Sequence, residues 1–160
     1  MYEGEKEKLK SFFSINEEEK LNYLQIANNQ LAKACERIFK DQSHVMAAGI
    51  IRATSVWAMK CDGLCNDSEI KFLNKYFRKR GINETAQRWI SLNVTEAQAE
   101  VEAAIVGAQL NASLDRNLQN EYYSLAEAIG TIFIIYATAD KIVTDTTGKA
   151  FAELRKLVTN

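Results

Sequence analysis

The sequence predicts an all-α fold: a single helical domain of about seven helices with two buried central ones. Three observations carry this. Apolar residues recur at helical spacing along most of the chain, two stretches are apolar almost all round, and there is no proline among 160 residues. Average usage would supply about eight prolines. Proline breaks helix interiors but serves well in turns, so its absence suits helices joined by short connections. No period-two alternation bounded by turn residues survives a pass along the chain, so no sheet is required.

Residues 1–16 are charged and then aromatic, and read as an arm or short helix preceding a helical domain over 17–160. The Phe12-Phe13 pair in this arm is expected to dock back on the domain. From Glu17 to Phe39, Leu21, Leu24, Leu31, Cys35 and Ile38 fall on one helical face, and Glu17, Glu18 and Glu19 suit its positive N-terminal end. The first central helix runs from about His44, after Asp41 or Ser43 as cap, to Cys61, with Asp62-Gly63 as its stop. A third helix starts near Asp67 with Ile70, Leu73, Tyr76 and Phe77 inward, and closes on Arg78, Lys79, Arg80 and Gly81.

Asn83 is expected to open a short helix containing Trp89. Thr95 with Gln98 has capping-box spacing and is expected to open a longer one to about Ser113. The next begins near Asp115 or Arg116, with Leu118, Tyr122, Leu125, Ile129, Ile132 and Tyr136 at intervals of three and four. From Ala128 to Ala139 it is apolar all round, which makes it the second central helix. Asp140 ends it, and Asp145 to Val158 forms the last helix, with Phe151, Leu154, Leu157 and Val158 inward.

The composition is that of an ordinary globular chain, 47% hydrophobic and 26% charged, with a net charge of −1. No basic field advertises nucleic acid or an anionic membrane. The longest apolar stretches, 44–60 and 128–139, are interrupted by Arg52 or too short to span a bilayer, so no integral membrane segment is expected. The first ten residues lack the apolar core of a signal peptide. With three cysteines, an odd number, the expected setting is the cytosol with reduced thiols.

The two central helices end alike. When Asp62 is set on Asp140, an offset of 78 residues, Ala58 meets Tyr136, Leu64 meets Ile142, Asp67 meets Asp145 and Phe72 falls beside Ala150. Each junction reads as a buried helix, an acidic turn and an amphipathic helix, the pattern of a pseudo-twofold domain built from two related halves. An Ala-rich buried helix running into Asp62-Gly63, an aliphatic residue two positions after the aspartate and Glu69 opening the next helix resemble the TerB signature of the tellurite-resistance family. The resemblance covers roughly residues 20–158 in helical layout, and its specific motif is short. In the second half Asp140 and Ile142 match, whereas Lys141 replaces the glycine and Thr147 the glutamate. The resemblance implies an all-α stress-response protein and a divalent-metal site (calcium, magnesium, manganese or zinc) at Asp62, Glu69 and Asp140. Asp67 and Asp145 stand as supporting or alternative ligands.

Hard divalent cations do favour several carboxylate and carbonyl oxygens at element ends. The competing reading is structural. Asn66 and Glu69 have capping-box spacing, and Asp67 and Asp145 suit the first turns of helices through the macrodipole alone. Asp62–Ile70 is not an EF-hand loop, because the alternating ligands before its glycine are absent. Cys61-x3-Cys65 lacks further zinc ligands, since His44 is the only histidine and nothing places it nearby. Asp41-x-x-His44 supplies at most half of a di-iron motif. There is no nucleophile elbow, no phosphate-binding glycine loop and no histidine base for Ser or Cys, so an enzyme is not expected. Lys75, Arg78, Lys79, Arg80 and Arg88 read as a solvated helix end. Two functions remain open: a metal-responsive TerB-like stress protein, or a metal-free helical adaptor for an unidentified protein partner. The sequence also leaves room for a homo-oligomer.

Overall fold

The computed structural model describes residues 1–63 and 65–160, and these are all helix and connection, without strands. Eight α-helices follow in order: α1 (Glu3–Lys10), α2 (Glu17–Ile38), α3 (Ser43–Lys60), α4 (Asp67–Arg80), α5 (Ala86–Ile90), α6 (Val94–Leu114), α7 (Gln119–Ala137) and α8 (Asp145–Thr159). One-turn 3-10 segments, Lys40–Gln42 and Arg116–Leu118, precede α3 and α7. Seven helices thus lie in 17–160, and the arm is an eighth.

The core sits between α3 and α7. α2 lies along α7, and α3 packs against both α6 and α7. From Ala53 to Met59 every residue of α3 is buried, as are Leu125, Ala128, Ile129, Ile132, Phe133 and Ile135–Ala137 of α7. Trp57 meets Phe133 edge-on at 5.2 Å between ring centroids, and Phe133 stacks on Phe151 of α8 at 6.1 Å. Burying one such side chain contributes about 1.5–3 kcal/mol, so these rings fasten α3, α7 and α8 together. The first turn of α3 departs from the expected all-round burial: Val45 is 72% exposed.

Four helix starts differ from the sequence reading, each for a local reason. α5 is opened by Thr85, whose hydroxyl accepts the Arg88 N–H, rather than by Asn83. α6 begins after Asn93, whose Oδ1 accepts from Thr95 N and Glu96 N at 2.8 and 3.4 Å. Asparagine is the stronger cap and comes first, so Thr95 is already inside the helix. Gln98 reaches across to Glu153 of α8 at 2.8 Å instead of closing a box. α3 begins at Ser43 after Gln42 with no side-chain cap, so neither Asp41 nor Ser43 serves there. Asp115 caps the 3-10 turn that leads into α7. In α8, Leu157 and Val158 are half-buried rather than fully inward.

α1 is docked. Leu9 is fully buried, Lys6 Nζ lies 2.8 Å from Asp145 Oδ1, and α1 packs on α8. Phe12 turns back against the groove between α2 and α7. Among the described residues, no helix is long and apolar enough to cross a membrane.

Candidate functional site: the paired acidic turns

The two junctions share one backbone construction at the 78-residue offset. After α3, the Gly63 N–H bonds to Lys60 O at 3.0 Å; after α7, the Lys141 N–H bonds to Thr138 O at 3.1 Å. Gly63 (φ 105°) and Lys141 (φ 58°) occupy equivalent positions, and both have positive φ. The following helices then open on capping boxes, Asn66 with Glu69 and Thr144 with Thr147. Thr147 therefore fills the backbone role of Glu69, and Lys141 takes the glycine's side of the Ramachandran map. Leu64, matched with Ile142 by sequence, lies outside the described residues.

The turns meet through Asn66. Its Oδ1 accepts the Glu69 N–H at 3.1 Å, and its own N–H donates to Glu69 Oε1 at 3.0 Å. Its Nδ2 then donates to Asp140 Oδ2 at 2.6 Å, joining the first junction to the second. The other oxygen of Asp140 accepts the Ile142 N–H at 3.0 Å. Lys20 of α2, also buried, donates to Thr138 O at 3.2 Å. Burial lowers its ammonium pKa, Lys141 adds to that, and Asp140 and Glu17 oppose it.

Glu69 is only 2% exposed. Burial raises its carboxyl pKa to about 8; the Asn66 N–H pulls it down, and the charges of Asp140 and Asp62 push it further up. At neutral pH this carboxyl is largely protonated. Burial is also the main cause that pushes the thiols up, Cys35 to about 11 and Cys61 and Cys65 to about 12. Thiols held protonated are poor nucleophiles and poor metal ligands. His44 stands at the far end of α3 from Cys61, about 25 Å away at 1.5 Å per residue.

The charges of Asp140 and Asp62 thus both act on Glu69. Asp62 is exposed in the first turn, and Asp67 is exposed at the start of α4. Asp145 is committed to Lys6. Among the described residues, no three His, Cys, Asp or Glu side chains gather so as to hold a metal ion. The basic residues of α4 are a surface feature: Lys75 pairs with Glu17 at 3.3 Å and Lys79 donates to Asn22. Asn66 as the link between halves was not foreseen; its spacing to Glu69 signals the cap, but nothing local signals Asp140.

A second feature is an apolar groove of about 300 Å³ between α2, α7 and the segment joining α1 to α2. Phe12, Ile15, Tyr23, Ile134 and Ile135 line it, with Lys20 and Thr138 at one end, next to the paired turns. No family model matches the chain, and neither a curated protein nor a solved structure matches it.

Proposed function

We propose that this protein is a TerB-like helical adaptor of the stress- and tellurite-resistance type, a binding protein rather than an enzyme, working without a metal in the cytosol. The observation that carries the metal-free reading is the commitment of the acidic side chains to the chain itself. Glu69 closes a capping box, Asp140 accepts from Asn66 and Ile142, and Asp145 holds Lys6. The paired turns then act as a clasp that fixes the end of α7 against the start of α4. The groove beside them offers a protein partner an apolar seat, and Tyr23 and Ile26 stand exposed on the α2 face that borders it.

The second reading places a divalent cation at Asp62, Glu69 and Asp140. It is favoured by the position of Glu69, whose carboxyl pKa is raised chiefly by burial and further by the charges of Asp140 and Asp62. Thermal unfolding of chelator-stripped protein against calcium, magnesium, manganese and zinc separates the two. A cation bound only by the folded state adds about 2.7 kcal/mol at a hundred times its Kd. The adaptor reading expects a flat response to all four. A saturable rise abolished by Asp62→Asn would replace it with the metal-responsive one. For the groove, a photocrosslinking residue at position 26 should capture a specific protein that the same residue at Lys33 does not; equal capture from both removes the groove as the docking site.

A further inference from the structure

The chain carries a second apolar surface, remote in character from the acidic turns. α6 buries Ala97, Val101, Ala104, Ile105, Ala108 and Ala112 against the core. Its opposite face is not polar. Ala99, Ala103, Val106, Leu110 and Leu114 follow one another at steps of four, three, four and four, and all five are exposed, Val106 by 57%, Leu110 by 58% and Leu114 by 80%. At 100° per residue this stripe lies diametrically opposite the buried one, and it runs about 22 Å along the helix. A helix with an apolar stripe on each of two opposite sides is expected to be covered on both.

We propose that this face is the interface of a homodimer in which α6 pairs antiparallel with α6 of a second copy, on a twofold axis beside Val106 and Gly107. The sequence of the stripe is self-complementary in this register. Ala103 then meets Leu110 of the second copy and Ala99 meets Leu114, so each layer sets a small side chain against a large one. A twofold contact requires this kind of self-complementarity. Parallel pairing would instead face alanine with alanine, leucine with leucine and Glu96 with Glu96.

Charge agrees with the antiparallel choice. The N-terminal half of α6 carries Glu96 and Glu100. Its C-terminal half is followed by Arg116, and Lys40 lies beside it: Phe39 reaches Gly107, and Asn111 Nδ2 holds Ile38 O at 2.9 Å. Among the described residues, none of Glu96, Glu100, Lys40 and Arg116 has an ion-pair partner. Asp115 and Asp41 stand beside Arg116 and Lys40, so the end is not basic overall, but antiparallel pairing sets Glu96 of one copy near Arg116 of the other. A single helix pair gives an interface at the small end of the specific range, so the dimer is a reversible one.

Sedimentation equilibrium of the full chain over a wide concentration range tests this. The mass should rise with concentration from 18.1 kDa towards twice that value. Leu110→Glu should weaken association about a hundred-fold with unchanged circular dichroism. Ala103→Trp, also at an exposed position, should do the same by overfilling the layer. Glu96→Arg and Arg116→Glu should each weaken it roughly two- to fivefold, and together restore it. A monomer at every concentration overturns the proposal. So does a dimer that both stripe variants leave intact, or adsorption to lipid vesicles without self-association.

Discussion

Asn66→Ala is the most informative single change to the clasp. It removes two things at once: the cap on α4 and the donor to Asp140. Losing an asparagine cap costs about 1 kcal/mol. A hydrogen bond to a charged acceptor contributes about 1.5–3 kcal/mol, and the low end applies because both residues are half-exposed. The expected loss is therefore about 2.5 kcal/mol, or roughly 5–10 °C in Tm for a chain of this size. Thr144→Ala is the internal control, because Thr144 holds the equivalent cap of α8 without the cross-link. It should cost only about 1 kcal/mol. Urea unfolding of both variants, with Asp140→Ala alone and combined with Asn66→Ala, gives the coupling between the turns. A coupling of at least about 1 kcal/mol is expected. Equal costs for Asn66→Ala and Thr144→Ala, with no coupling to Asp140, would show that the two junctions are held together by core packing and not by this bond.

Glu69 makes the stability pH-dependent. Its folded pKa lies above the ordinary 4.5, so the folded state binds the proton more tightly than the unfolded one. The stabilisation is complete below the ordinary value and is lost as pH rises through about 8. Glu69→Gln keeps the capping geometry and should flatten that fall in denaturant titrations from pH 5 to 9; an unchanged slope would clear Glu69 of the effect. Lys141→Gly should stabilise by about 1 kcal/mol, because a lysine at φ 58° pays a left-handed penalty that glycine avoids, and chemical unfolding reads this directly. Gly148→Ala should loosen α1, since a Cβ there would come within 3.0 Å of Tyr2 Cβ and Lys6 Cγ; limited proteolysis should cut residues 1–16 faster.

How legible each part was depends on the range over which its cause acts. The inward face of α2, the Gly81 stop of α4 and the apolar stripe of α7 follow from signals within one helix, and the structure places them accordingly. Capping residues were harder where two candidates stand close together. Asn93 and Thr95 both suit a helix start, and only the backbone decides that the first one wins. The buried position of Lys20 could not be read at all. A lysine on an amphipathic helix is normally solvated, and its burial follows from where α7 ends, which supplies the Thr138 carbonyl. The outer stripe of α6 is present in the letters, but which of its two apolar sides faces the core is decided only by its neighbours.

The repeat gives the clearest view of what the acidic turns are for. If the second turn had kept its form to bind an ion, its ligands should have been the conserved part of the correspondence. Two of the candidate ligands do recur, Asp62 as Asp140 and Asp67 as Asp145, whereas Glu69 does not. The positive-φ position, the turn hydrogen bond and the capping box all recur at the 78-residue offset, whereas the glutamate becomes threonine and the glycine becomes lysine. Lys141 even accepts an unfavourable backbone conformation in order to keep the turn. What the two halves share is thus the geometry of leaving one buried helix and starting the next. Of the two acidic residues that persist, Asp145 holds Lys6 and Asp140 accepts the bond from the opposite junction. Its partner in that bond, Asn66, is itself the cap of α4, so a single side chain both starts a helix and ties the halves. On this reading Asp140 joins the two junctions, with Asn66 as its donor.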